Sequence, residues 1–110
     1  MDWQLLEQEE QLNGIKELSK IKPQLIFKHS TRCSISTMAK ARLEKAKTLE
    51  YIDFYYLDLL KHRSISNKIA DMFDVYHESP QVLLIKNGEC VYEESHNGIS
   101  MADIEEQARK

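Results

Sequence analysis

Apolar positions fall into two periods along this chain, and the alternation between them lays out the elements. Leu12, Ile15 and Leu18 recur at helical spacing and predict an early amphipathic helix, weakened by Gly14 and ended by Pro23. Gln24–Lys28 is too short and too apolar for a surface helix and predicts a buried strand. After His29-Ser30-Thr31-Arg32, the positions Ile35, Met38, Ala39, Leu43, Ala46 and Leu49 give a long helix with one core face. Ile52–Leu57, rich in aromatics, predicts a second strand. Ser64 or Ser66 can cap the next helix, which would bury Ile65, Ile69, Met72 and Phe73. Pro80 opens a third strand over Gln81–Ile85. Asn87-Gly88 is a strong hairpin turn, and Glu89–Tyr92 returns as the fourth strand, with Cys90 opposite about Ile85. Ser100-x-x-Asp103 resembles a capping box and starts a final helix carrying Ile104.

This order makes an α/β fold. A helix joins the first two strands, so they should run parallel, and the hairpin adds two antiparallel ones. The expectation is a four-stranded mixed sheet with helices on both faces, with Trp3–Leu6 as a possible short edge strand.

Composition narrows the function. The 110 residues fit one domain over 1–110, with no repeat or Pro/Gly-rich linker to divide it. A net charge of -3 argues against nucleic acid as a partner, because no excess of cations is available for phosphates. No apolar run reaches the length of a membrane span. Met1-Asp2-Trp3-Gln4 lacks the basic-then-apolar pattern of a secretory leader, so a cytoplasmic home is expected, where thiols stay reduced. The two cysteines then point to reactivity or packing rather than to a structural bridge.

Cys33 falls between a buried strand and the start of a helix. There the unpaired backbone N–H groups and the helix dipole favour an anion, and cysteines in such places titrate at roughly 3.5–7.5. Arg32 adds a fixed positive charge. The flanking Ser30, Thr31, Ser34 and Ser36 are polar, unlike a core segment. Cys33-Ser34-Ile35-Ser36 is a C-x-x-S motif. Ser36, one turn on, can donate a hydrogen bond to the thiolate but cannot resolve a disulfide; a local bond to backbone is its other use. No acidic residue occurs between Pro23 and Arg42, and Lys28, His29 and His77 lie near the same sheet end, which gives a local positive bias. His29 is expected to bond a backbone carbonyl, and His77 either to do the same or to move protons. Cys90 pairs with about Ile85, five residues beyond Pro80 and on the order of 16 Å from it, and is expected to be a packing residue.

Phe27-Lys28-His29-Ser30-Thr31-Arg32-Cys33, the C-x-x-S motif, His77-Glu78-Ser79-Pro80-Gln81 and Asn87-Gly88-Glu89 together resemble the bacillithiol-system thioredoxin-like family, the monothiol bacilliredoxins of the YtxJ type. The resemblance covers nearly the whole chain and implies a thioredoxin-like fold. It implies Cys33 as the nucleophile and Pro80 as a cis-proline. Arg32, Ser34 and Ser36 would then stabilise the thiolate, and Thr31, His77, Ser79 and Pro80 would contact substrate. It also implies an enzyme that removes bacillithiol from mixed disulfides on cytoplasmic proteins. Such an enzyme has no bound cofactor or metal and uses a low-molecular-weight thiol as co-substrate; we expect a monomer. Members usually carry Pro directly after the cysteine. Ser34 stands there instead and keeps its N–H donor. Two other functions fit the C-x-x-S: an iron–sulfur carrier, although monothiol glutaredoxins of that kind have Gly-Phe where this chain has Ser34-Ile35, and a thioredoxin-fold binding module without catalysis.

Overall fold

A computed structural model describes residues 1–110. The elements are β1 (Gln4–Leu5), α1 (Glu10–Leu18), β2 (Gln24–His29), α2 (Ser34–Lys45), β3 (Asp53–Asp58), α3 (Arg63–Met72), β4 (Gln81–Lys86), β5 (Glu89–Ser95) and α4 (Met101–Arg109), with a 3-10 turn at His96–Gly98 before α4. They form one five-stranded sheet in the order β1-β3-β2-β4-β5. β2 and β3 are parallel over Gln24–His29, whereas β4 runs antiparallel to β2 and β5 to β4. The sheet thus has one strand more than the four expected. Gln4–Leu5 adds it at the edge, pairing in parallel with Tyr55 and Tyr56.

Strand alternation sends successive residues of β2 to opposite faces, and each face has its own core. Leu25 and Phe27 pack with Phe54, Val82 and Leu84 beneath α2 and α4. Ile26 packs with Tyr55, Leu57, Leu83 and Ile85 beneath α1 and α3. The hairpin closes as the Asn-Gly turn requires. Asn87 and Gly88 have φ of 54° and 79°, and Ile85 faces Cys90. Ser100 caps α4 by accepting the Asp103 N–H at 3.2 Å. No helix is long and apolar enough to cross a membrane.

Four details differ from the hydrophobic pattern. In α2 the buried residues are Ser36, Ala39 and Leu43, while Ile35 and Met38 are exposed. The helix is rotated so that a serine, not an isoleucine, faces the sheet. It also stops at Lys45, leaving Leu49 to reach the core from the following turn. α1 ends at Leu18, itself exposed, several residues ahead of Pro23. α3 is preceded by His62 rather than capped by a serine, and Ser66 lies inside it, fully buried. Both buried serines serve the site at the end of β2.

Candidate functional site

β2 ends in two polar residues that the sheet buries almost completely, Lys28 and His29. A buried polar group costs free energy unless it is bonded, and each finds a serine on the helix covering its face. His29 stacks on Phe27, with ring centroids 5.6 Å apart, and its Nδ1 lies 2.6 Å from Ser36 Oγ of α2. The same hydroxyl oxygen accepts the Ser30 backbone N–H at 3.0 Å. On the other face, Lys28 Nζ donates to the Ser66 carbonyl of α3 at 3.4 Å and lies 3.3 Å from His77 Nδ1. Ser66 Oγ is 3.2 Å from that same ring nitrogen. Burial, and then Lys40, pulls the His29 pKa down; burial, then Lys28 and Arg63, does the same to His77. Both shifts favour the neutral imidazole. Burial lowers Lys28 to about 8.

Past His29 the chain turns through Ser30, the exposed Thr31 and Arg32, and reaches Cys33, the residue that precedes α2. Cys33 is half-buried, extended at φ −106° and ψ 122°, and its carbonyl accepts the N–H and the hydroxyl of Thr37 at 3.0 and 3.2 Å. No side chain caps the helix, and its first turn holds no acidic residue. The backbone N–H groups of Ser34, Ile35 and Ser36 find no acceptor within the protein. Cys33 thus heads a helix whose first three N–H groups are free, at the positive end of the helix dipole. Ser34, which is not a proline, supplies one of them.

The second half of the site comes from the segment before β4. The Ser79-Pro80 peptide is cis. Lys28 pairs with Gln81, so continuing the ladder by one residue sets Pro80 opposite His29. Ser79 carries neither a backbone hydrogen bond nor a partner for its buried hydroxyl. The sheet therefore brings Thr31–Ser36 and His77–Pro80 to one end.

Three expectations change. The Ser36 hydroxyl is taken up by His29 and Ser30 and makes no hydrogen bond to the sulfur. His29 bonds that hydroxyl rather than a carbonyl. Lys28 does not face an approaching anion, because it is sealed under α3. The cluster of Lys28, Ser66 and Gln81 was not anticipated. The signal for it was a lysine inside an otherwise apolar strand.

Cys90 is placed far from these groups. It lies on β5 opposite Ile85, which in turn faces Gln24 at the start of β2. Its thiol donates to the Tyr92 carbonyl at 3.3 Å, and burial pushes its pKa up to about 11.

Comparison with known proteins agrees with this arrangement. A solved structure described as a candidate oxidoreductase with a thioredoxin fold is 31% identical, covering 94% of this chain and 90% of that one at a TM-score of 0.80. Thioredoxin from Fasciola hepatica (17% identical, 96% of both chains, TM-score 0.74) shares the fold. So does thioredoxin from Malassezia sympodialis (15% identical, 98% of this chain and 89% of that one, TM-score 0.75). The family model described as Monothiol bacilliredoxin BrxC matches residues 4–104, from the edge strand β1 into α4 and across the whole site. With Cys33 heading α2 on a thioredoxin fold and that match spanning nearly its full length, the chain belongs to the monothiol bacilliredoxin family.

Proposed function

We propose that this protein removes bacillithiol from mixed disulfides on cytoplasmic proteins by a one-cysteine mechanism through Cys33. The observation that carries the reading is Cys33 at the head of α2, whose Ser34, Ile35 and Ser36 N–H groups are free, in a chain of this family. The Cys33 thiolate attacks the bacillithiol sulfur of the mixed disulfide. That S–S bond breaks, the protein leaves as its thiolate, and Cys33 becomes disulfide-bonded to bacillithiol. A second bacillithiol, as thiolate, attacks the bacillithiol sulfur of this adduct. It releases Cys33 and carries away bacillithiol disulfide. One disulfide is opened and one is formed, the protein sulfur being reduced as the incoming bacillithiol sulfur is oxidised, so the exchange balances without a bound cofactor.

The free backbone groups of Ser79 support a docking role for the loop before β4. They can pair with an extended substrate segment as an added strand, setting its disulfide against Cys33. The exposed Arg32 and Thr31 supply a charge and a hydroxyl for the anionic small thiol. Catalysis here is mostly positioning plus stabilisation of the sulfur anions.

The test is a protein carrying bacillithiol on one cysteine, mixed with the chain and followed by intact mass. The expected result is a bacillithiol adduct on Cys33, discharged by added bacillithiol, and faster release than from a matched glutathione-modified protein. Turnover by a Cys33→Ser variant would overturn the mechanism, and equal rates for the two thiols would overturn the bacillithiol specificity.

A further inference from the structure

Lys28 is fully buried, and no carboxylate lies within ion-pair distance of its ammonium. An unpaired buried cation is costly, and the reaction above gives it nothing to do. Its surroundings show what it holds. Lys28 and Gln81 are the last pair of the β2–β4 ladder, cross-strand neighbours on one face, and both are fully buried. Both reach the same segment. Gln81 donates to the Tyr76 carbonyl at 2.9 Å and accepts the Glu78 N–H at 3.4 Å. Lys28 meets His77 Nδ1 at 3.3 Å, anchored by the Ser66 carbonyl. Three successive residues, Tyr76, His77 and Glu78, are thus pinned from beneath, directly ahead of Ser79-Pro80. An ammonium has only donors, so it makes Nδ1 an acceptor and puts the ring proton on Nε2.

We propose that Lys28 is a positioning residue: acting through His77, it holds the 76–80 loop in the shape that pairs with a substrate backbone, and it makes that hold depend on pH. The proposal rests on the docking role given to this loop above. The charged groups around this hold are Lys28 on β2, His77 and Glu78 on the loop, Arg63 on α3 and Glu93 on β5, whose carboxylate accepts from the Gln81 amide at 3.1 Å; the uncharged Ser66 faces both Lys28 and His77. When His77 protonates, Nδ1 becomes a donor and can no longer receive Lys28. When Lys28 loses its proton, near pH 8, the charge-assisted bond weakens. The hold is therefore strongest between these two events.

The experiment compares two chromogenic disulfides of nitrothiobenzoate, one with a ten-residue cysteine peptide and one with mercaptoethanol. Cys33 expels nitrothiobenzoate from either, but only the peptide has a backbone to pair. In wild type the ratio of the two rates should fall on the acid side as His77 protonates and again above about pH 8. In Lys28→Met the ratio should drop about tenfold, roughly one charge-assisted hydrogen bond, and lose both pH limbs. A mere loss of stability would slow both disulfides alike. An unchanged ratio, or limbs that persist in Lys28→Met, would overturn the proposal. If Lys28→Met does not fold, the surface change His77→Ala should give the same drop. His77→Gln, which keeps an acceptor oxygen, should restore the ratio, and equal ratios in these two variants would also overturn it. Nitrogen-15 shifts of the His77 ring supply a readout independent of activity. Should wild-type Cys33 attack neither disulfide, the functional reading falls, while a ring proton found on Nδ1 rather than Nε2 overturns the role of Lys28 by itself.

Discussion

Cys33 stands just ahead of α2, half-exposed, with its sulfur free of intramolecular hydrogen bonds and the first three N–H groups of the helix unpaired. Cys90 lies inside β5 at the far end of the sheet. It is packed against the core of the α1–α3 face and donates its proton to a carbonyl. The register separates the two ends by the length of β2, about 16 Å at 3.3 Å per residue. The same side chain is thus open to solvent at a helix start in one setting and a small packed hydrophobe in the other, and the proposed mechanism gives only the first a role. Surroundings decide the difference, and the two settings can be exchanged or weakened by mutation.

The sharpest break is Cys33→Ser, which should abolish exchange on mixed disulfides while leaving the circular-dichroism spectrum and Tm unchanged. Cys90→Ser should keep the rate within about twofold, because its thiol takes no part. Pro80→Ala comes next. It should slow release from a protein substrate several-fold by disturbing the loop beside Ser79, and should slow release from a small disulfide much less. Ser36→Ala leaves the Ser30 N–H and His29 without their buried partner. It should lower stability by about 1–3 kcal/mol in urea unfolding. Arg32→Ala removes an exposed charge that makes no hydrogen bond in the fold, so the effect should be modest: slower discharge of both bacillithiol and glutathione, and a weaker dependence on salt.

Cys90 offers the smallest effect and a pH test. Its thiol is held protonated to about pH 11 against an ordinary value of 9.0. The unfolded chain loses that proton first, so between those pH values the unfolded state binds fewer protons and stability falls as pH rises. Cys90→Ala should lose less stability than wild type across that window in paired urea titrations. Iodoacetamide at neutral pH should accordingly label Cys33 and spare Cys90, read by peptide mass mapping.

Much of this comparison was legible from sequence. The Asn87-Gly88 turn fixed the hairpin register, and with it the distance of Cys90 from Pro80. The helix linking Gln24–His29 to Asp53–Asp58 implied parallel strands, and the polar segment around Cys33 marked a helix start rather than a core. Hydropathy failed where polar groups are buried in pairs. It placed Ile35 and Met38 inside α2 because it cannot see that Ser30 N–H and His29 need a hydroxyl, which only Ser36 on that face provides. It offered Ser66 as a helix cap, when that residue instead closes the Lys28–His77 cluster. Such pairings join residues up to 49 apart in the chain, beyond the reach of local patterning.

The aromatic row on the α2 face has a practical consequence. Trp3, the one tryptophan, stacks on Phe27 at 5.6 Å, and Phe27 stacks on His29. His29 in turn grips Ser36, three residues from Cys33. The indole N–H is tethered to Glu44 on α2 at 2.9 Å, so the ring is fixed to the helix as well as to the sheet. Any shift of the first turn of α2 when the sulfur acquires a partner should therefore reach this indole through two ring faces and one hydroxyl. The protein thus carries its own fluorophore, linked by contacts to the helix that Cys33 heads, and its emission should report a partner joined to that sulfur without a label.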